Sequence, residues 1–505
     1  MNSTRAANIL LNAVSKVIDS KEESDPAAGL VADRRELGKP VGERQQQPCD
    51  GTDRPRNDPA FRTPVVGQQR RVLYEYKPEH IDTRAILAGM LRQSPFHERV
   101  AAANQTSLWN HWAGHLVIDK YQMSEKWEYT AIRNAAGIFD GSPLYKYWIR
   151  GRDAEKYLGG VLARDIRLCK PGQAQYTIWC DDRGYVNEDG VVFRHSPDEF
   201  FLTAAEPNLS YFQNLIGHDE VEIEEVTYEY ATLAVQGPRS RTILATLAPE
   251  VNTLGYFDHT PAKIGDVPVT ISRTGFTGDL GFEIYSDAGD ALAIWDAVTE
   301  VGIPHGLIPF GQTALLMARI EAGLLLIAAD FEPSRLAEND EHRSTPIELG
   351  LMWMLKGIDD DTRPFIGRKA IRKEKVEATS RWRMMGLVVD WEDYNRKYTE
   401  AGMIPPKDHT PVHEDMMVYD DNVQRVGYAT SFMYSPVLQK HIALARVRPD
   451  LAKPGTKLNL EFTINHRYVQ VGAHVVRTPF FAPDRKTSMP EQMVSDPKRS
   501  TGDPS

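Results

Sequence analysis

Cysteine is almost absent: only Cys49, Cys169 and Cys180 occur in 505 residues, and no two are spaced as CxxC. That excludes a disulfide framework and a thiolate metal site, so chemistry without a metal is expected. Long apolar runs are missing too. The longest, 322–329, falls far short of the roughly 20 residues that a membrane-spanning helix needs, and residues 8–18 are too interrupted by polar side chains for a signal-peptide core. Positive charge does not dominate: 59 Lys and Arg against 70 Asp and Glu give a net charge of -11. This argues against general nucleic-acid binding, where phosphate contacts supply the affinity. No GxGxxG strand-turn-helix unit is present, which excludes a flavin or dinucleotide domain. The simplest reading is a cytoplasmic enzyme, an ordinary globular protein 41% hydrophobic, with neither nucleic acid nor membrane as partner.

Along the chain, residues 19–72 are rich in Asp, Glu, Arg, Gln and Pro and read as a flexible extension. Ahead of it, Ile9, Leu10, Ala13, Val14, Val17 and Ile18 have helical spacing, which suits docking on the body or on a second subunit of a homo-oligomer. From Ser94 onward, strand-like segments (145–149, 200–203, 267–271) alternate with helical ones (291–301, 313–325), an α+β order. After Arg381 the pattern turns to strand and turn, as in a small closing β-barrel. The expected division is an N-terminal extension over 1–80, two α+β lobes over 81–380, a barrel over 381–482 and a flexible tail over 483–505.

One run concentrates chemistry: Ser272-Arg273-Thr274-Gly275-Phe276-Thr277-Gly278-Asp279-Leu280-Gly281-Phe282-Glu283-Ile284. Gly275, Gly278 and Gly281 permit tight turns and close backbone approach to a ligand. Glu283 sits between two apolar residues of a strand, where a carboxylate needs a partner such as the paired N–H donors of an amidine-like heterocycle edge.

This run resembles the signature of the folate-dependent T-protein (aminomethyltransferase) family of the glycine cleavage system, and other stretches agree in order. They are Ser94-Pro95-Phe96-His97-Glu98 with Trp112-Ala113-Gly114, Tyr176 through Asn187-Glu188-Asp189-Gly190, Ala234-Val235-Gln236-Gly237-Pro238, and Gly427-Tyr428-Ala429-Thr430-Ser431 with Ser435-Pro436 and Ile442-Ala443-Leu444-Ala445. The resemblance implies an α+β, three-lobed T-protein-like fold with a C-terminal β-barrel around a channel, and tetrahydrofolate as cofactor. It also implies roles. Glu283 would bind the pterin ring, against the alternative of an exposed acid on a sheet edge. Asp189 would lie by the folate nitrogen that receives the carbon and assist proton movement, against the alternative that Asn187, Glu188 and Asp189 form a turn. Tyr176, thirteen residues earlier, would line the pocket, against a core tyrosine. Phe276, where the family usually has tyrosine, would be an aromatic wall. Arg273 and Gln236 are further cofactor candidates, with loop holding as their alternative.

Departures from the family pattern fall on the substrate side. A glycine-leucine-glycine-alanine-arginine-aspartate stretch is here Gly311-Gln312-Thr313-Ala314-Leu315-Leu316; an expected asparagine is Ala205, followed by Glu206; a serine-histidine-methionine segment is Ser142-Pro143-Leu144. Retained folate positions with a rebuilt donor side resemble the family's tetrahydrofolate-dependent demethylase branch, which implies a small methylated substrate, foremost a methoxylated aromatic acid. Alternatives are aminomethyl transfer, demethylation of a methylamine or sulfonium, and folate binding without transfer. Trp109, Trp112, Tyr121, Trp127 and Trp179 lie on segments expected to face the donor, with a place in the core as the expectation for most of them. His115, replacing a bulky aromatic after Trp112-Ala113-Gly114, is the candidate acid or substrate contact.

Overall fold

The computed structural model describes residues 91–488. The helix expected around Ile9–Ile18, the extension over 1–80 and most of the expected tail lie outside the described residues. The fold class is α+β, and three bodies of structure follow from where apolar side chains repeat.

The first is an antiparallel five-stranded sheet in the order Gln173–Cys180, Val186–Arg194, Glu199–Ala204, Tyr145–Arg150, Glu222–Glu225. The helix Ala154–Val161 lies on one of its faces, with Tyr157, Leu158 and Val161 joining Tyr147, Trp179 and Phe200 in one core. The second is a six-stranded sheet in the order His259–Ile264, Val267–Ser272, Gly281–Asp287, Tyr230–Gln236, Ala136–Asp140, Leu307–Pro309, with only the last strand joined in parallel. Its outer face is covered by the helix Ala291–Gly302, whose Ala291, Ile294, Trp295 and Val298 recur at the spacing of one helical stripe. The third is a closed six-stranded barrel, Arg383–Val389, Lys440–Val447, Arg425–Ser435, Met416–Tyr419, Lys457–Ile464, Arg467–Val476. Closure removes the exposed strand edges that an open sheet would leave.

The expected strands at 145–149, 200–203 and 267–271 and the helix at 291–301 are present. Two elements differ. The helix expected over 313–325 is Gln312–Glu321, because Gly323 takes a left-handed conformation (φ 64°) and the amides of Gly323 and Leu324 turn back to the carbonyls of Ile320 and Arg319. The barrel also carries an inserted helix, Trp391–Glu400, started by Asp390, whose side chain accepts from the amides of Glu392 and Asp393. Its Tyr394 and Tyr398 are buried in the barrel core.

The helix Gln312–Glu321 is the shared wedge. Ala314, Met317, Ala318 and Ile320 pack in one core with Ile178 and Val186 of the first sheet and Met433, Ile442 and Leu444 of the barrel. A second contact joins the two open sheets directly, through Phe193, Phe201 and Tyr285.

Candidate functional site

Strand alternation puts Glu283 between the two sheets. Phe282 and Ile284 enter the core under the outer helices, so Glu283 and Tyr285 share the opposite face. Glu283 pairs in register with Ser272 on one side and Ala234 on the other, a central strand position that rules out a sheet edge. Its Oε2 accepts from Thr274 Oγ1 and, at 3.2 Å, from the Tyr285 hydroxyl. Among the described residues no donor reaches Oε1, and the side chain remains half-buried. Burial pushes the carboxyl up, and the two hydroxyl bonds pull it partly back.

The glycine loop is built around Gln236. Its Nε2 donates to the carbonyls of Thr274 and Phe282 (both 3.2 Å), and its Oε1 accepts from Thr277 Oγ1 at 2.8 Å. A Cβ at Gly275 or Gly281 would stand 2.2 or 2.1 Å from that Oε1, and one at Gly278 would stand 2.2 Å from Ala322 Cβ. The three glycines therefore make room for protein atoms. Arg273 is likewise occupied: its guanidinium donates to the carbonyls of Leu254 (3.0 Å), Arg485 (3.2 Å), Lys486 (3.1 Å) and Ser488 (2.8 Å). In the same segment, Arg485 pairs with Asp279 of the loop at 2.6 Å, and the amides of Phe480 and Phe481 donate to the Glu321 carbonyl at 2.9 Å. Gln236 and Arg273 are both fully buried, and these bonds hold the loop, the alternative given for each; Arg273 Nε has no hydrogen-bond partner among the described residues. Phe276 is half-buried on the loop.

Asp189 lies within the strand Val186–Arg194, opposite Ile178, while Tyr176 lies opposite Val191. They are diagonal neighbours on one face, and the Tyr176 hydroxyl donates to Asp189 Oδ2 at 2.6 Å. Burial, with a further contribution from Asp330, pushes the Asp189 carboxyl up to about 6 against the pull of the tyrosine bond. Asn187 and Glu188 do not make a turn with it. Glu188 points to the other face, where its carboxylate accepts from the amides of Ala205 (3.0 Å) and Glu206 (3.1 Å) and from Asn208 Nδ2 (3.0 Å), and burial raises it to about 8.

The two carboxylates stand on the sheet faces that meet at Phe193 and Tyr285. Asp189 and Phe193 share a strand face, Glu283 and Tyr285 share another, and the Phe193 and Tyr285 rings meet edge-on at 5.3 Å. Both acids, and Tyr176, are half-buried.

Beside Asp189 stands a group that pattern reading missed. Arg319, on the wedge helix, donates to Asp330 and, at 2.7 Å, to Ser431 Oγ; Asp330 also accepts from the Leu326 amide (2.9 Å), Ser431 Oγ (2.8 Å) and Thr430 Oγ1. Burial opposes charge on Asp330, but Arg319 and these donors together hold it below the usual carboxylate range. The available signal was an arginine amid the apolar residues of the wedge helix and an acid directly after the apolar run 322–329. Trp353 was missed as well; 51% exposed, it stacks on the Tyr176 ring at 6.5 Å.

His115 occupies a different neighbourhood. It is buried on the strand His115–Ile118, donates from Nδ1 to the Ala113 carbonyl at 2.9 Å and tilts against Tyr228. Its charged neighbours are Asp140, Lys146 and Arg92, and burial lowers its pKa. No contact joins it to Asp189 or Glu283 among the described residues. Lys146 closes the segment after Asp140, with Nζ donating to Ser142 O (2.8 Å) and Leu144 O (2.7 Å). Of the aromatics on those segments, Trp179 is core, as expected for most of them, and Trp127 is neither core nor donor-facing. Trp127 is 66% exposed on a helix surface, and Trp179 is buried in the core behind the first sheet, its indole donating to Asn208 at 3.2 Å.

Among the described residues no cluster of three or more His, Cys, Asp or Glu is arranged to hold a metal, and no helix is long and apolar enough to cross a membrane.

Comparison with known proteins gives a consistent result. Residues 96–357 match the GCVT N-terminal domain, and residues 401–482 match the glycine cleavage T-protein C-terminal barrel domain. The aminomethyltransferase of Halalkalibacterium halodurans is 32% identical over 363 residues, covering 71% of this chain and 90% of that protein. The aminomethyltransferase of a Thermoanaerobacter species is 32% identical over 341 residues, covering 66% and 84%. Among solved structures, the glycine cleavage system aminomethyltransferase T from Bartonella henselae shares the fold at a TM-score of 0.65 and 22% identity, covering 78% of this chain and 98% of that one.

Proposed function

The chain belongs to the glycine cleavage T-protein family of folate-dependent one-carbon transferases, and from that premise we propose that it moves a one-carbon unit from an aminomethyl donor to tetrahydrofolate. The observation that carries this reading is the Tyr176–Asp189 pair, a hydrogen-bonded carboxyl raised to about 6.

The residues present fit the cofactor. Glu283 keeps Oε1 without a protein donor in a half-buried position, which suits the paired N–H edge of a pterin. Glu283 would hold that ring, with Tyr176, Trp353 and Phe276 as aromatic walls. When bound, tetrahydrofolate supplies the nitrogen that accepts the carbon. Asp189, titrating near neutrality, takes or gives a proton without leaving its hydrogen bond, and Tyr176 fixes the direction of that carboxyl. Asp330, held ionised by Arg319, discourages a second negative charge on Asp189 and so keeps its proton available. Limited solvent strengthens each of these interactions.

The relatives' names favour aminomethyl transfer. A second reading, demethylation of a small methylated donor such as a methoxylated aromatic acid, is favoured by the replaced positions Ala205, Glu206, Leu315 and Leu316. Glu206, half-buried and raised by burial with Arg335 acting against it, suits a cationic amine better than a benzoate. A cytoplasmic setting and lobe boundaries at 80 and 380 complete the proposal; the expected flexible tail is instead ordered through Ser488, and His115 as an acid would need a donor that reaches its separate neighbourhood.

Anaerobic incubation with tetrahydrofolate and a donor panel, read by mass spectrometry of the folate products, tests it. Methylene-tetrahydrofolate formed from an aminomethylated lipoyl protein supports the first reading; methyl-tetrahydrofolate from a methoxybenzoate or sulfonium supports the second. Binding without turnover across the panel refutes transfer.

A further inference from the structure

Arg164 is a buried-side cation with no acid. It follows the helix Ala154–Val161, in a loop fixed to the first sheet by the amide of Ala163, which donates to the Ile178 carbonyl at 2.9 Å. Its Nη1 donates to the Tyr176 carbonyl at 3.0 Å, and its guanidinium lies over the Trp353 ring at 5.1 Å. Trp353 in turn stacks on Tyr176, whose hydroxyl holds Asp189. The cation therefore stands one aromatic ring away from the proton-handling pair.

Its charge is uncompensated. No carboxylate lies within ion-pair distance among the described residues, and neighbouring Asp165 is turned away, held by Arg167 at 2.9 Å and facing Arg363 at 3.8 Å. Among the described residues Nε and Nη2 have no partner, yet they are not sealed from solvent. A guanidinium that is half-buried, oriented by a carbonyl and an indole, and left with free N–H donors presents the fork that a planar carboxylate fits. A structural cation would be expected to close on an acid in a chain with a net charge of -11.

Resting on the one-carbon reading above, we propose that Arg164 and Trp353 form an anion subsite at the mouth of the pocket, where the guanidinium receives a carboxylate of the bound ligands. Two sources share that chemistry: the glutamyl tail of the folate and a carboxylate on the donor. The exposed indole face also gives the aliphatic or aromatic part of either one a surface to lie on.

The test is a set of binding titrations with wild type, Arg164→Gln and Arg164→Lys. Each pair of ligands differs in the carboxylate-bearing part: tetrahydrofolate against 6-methyltetrahydropterin, and N-methylglycine against dimethylamine. Loss of one charge-assisted contact corresponds to about a 10-fold weaker Kd. Arg164→Gln is expected to weaken the carboxylate-bearing member of one pair by about that factor, leaving its partner unchanged, with partial recovery in Arg164→Lys. Loss in the folate pair assigns the subsite to the cofactor tail, and loss in the amine pair assigns it to the donor. Unchanged binding of the carboxylate-free member also shows that the variant is folded. Equal weakening of both members would make Arg164 a support for Tyr176 and overturn the subsite, as would no change in either pair. A wild type that binds neither pterin would sink the one-carbon reading and the subsite with it; binding of both, indifferent to Arg164→Gln, would sink the subsite alone.

Discussion

Tyr176→Phe removes one hydroxyl and with it the 2.6 Å bond to Asp189 Oδ2. That bond favours the ionised carboxyl, opposing the burial that raises it to about 6. A hydrogen bond to a charged group contributes roughly 1.5–3 kcal/mol, and one pKa unit corresponds to about 1.4 kcal/mol. Because Asp189 is partly reached by solvent, the lower end applies, and the variant carboxyl should titrate about one unit higher, near 7. The sign is fixed: losing a partner of the charged form can only raise this group. If Asp189 works ionised, the acidic limb of kcat/KM in the wild type falls below pH 6, and in Tyr176→Phe it falls about one unit earlier on descent. If it works protonated, the alkaline limb shifts upward by the same amount. A pH profile of kcat/KM over pH 5–9, using the donor found active in the product assay, measures it. A limb that stays within about 0.3 unit, or one that moves to lower pH, would refute the argument that this hydroxyl tunes the site carboxyl.

Glu283→Gln keeps the shape but removes the charge that would face a pterin edge; the dissociation constant for tetrahydrofolate should rise about 10- to 100-fold with little change in thermal midpoint, read by calorimetry and a melting scan. Gly281→Ala drives a methyl to within 2.1 Å of Gln236 Oε1, so a loss of about 1–3 kcal/mol in urea unfolding is expected, partly restored when Gln236 is also shortened to Ala. Asp330→Asn leaves Arg319 buried against a neutral partner, and the cost should be about 3–5 kcal/mol of stability. The same change should lower the Asp189 titration, since Asp330 raises it; a pH limb shifted upward would contradict that coupling.

Much of the fold was legible because its signals are local. The stripe Ala291, Ile294, Trp295, Val298 and the short strands at 145–149 and 200–203 announce themselves within one element. Glu283 stood out in the same way, an ionisable side chain between two apolar strand residues, whereas Asp189 was marked only by the family resemblance. What stayed hidden depends on distant partners. Arg273 is used up by carbonyls more than 200 positions away, and Gln236 by a loop about 40 positions on; nothing in their own neighbourhoods distinguishes a loop clamp from a ligand contact. Composition left a turn open as the alternative for Asn187, Glu188 and Asp189; pairing with Gln173–Cys180 holds them extended and sends Glu188 and Asp189 to opposite faces. Arg319 and Asp330 were passed over because a helix stripe shows which face is buried, not which charges meet there. The barrel was visible in outline, but its inserted helix was not, since Asp390 acts as a cap only once the strand before it has ended.

The clamp of Arg273 on the carbonyls of Arg485, Lys486 and Ser488, with Arg485 returning to Asp279, ties the glycine loop to a stretch translated some 200 residues after it. During synthesis the loop leaves the ribosome long before these supports exist. A growing chain therefore carries Tyr176, Asp189 and Glu283 while still lacking the brace that shapes the glycine loop before Glu283. Protease nicking ahead of Thr478 would return a mature molecule to that unfinished condition without removing any of the residues that face the pocket.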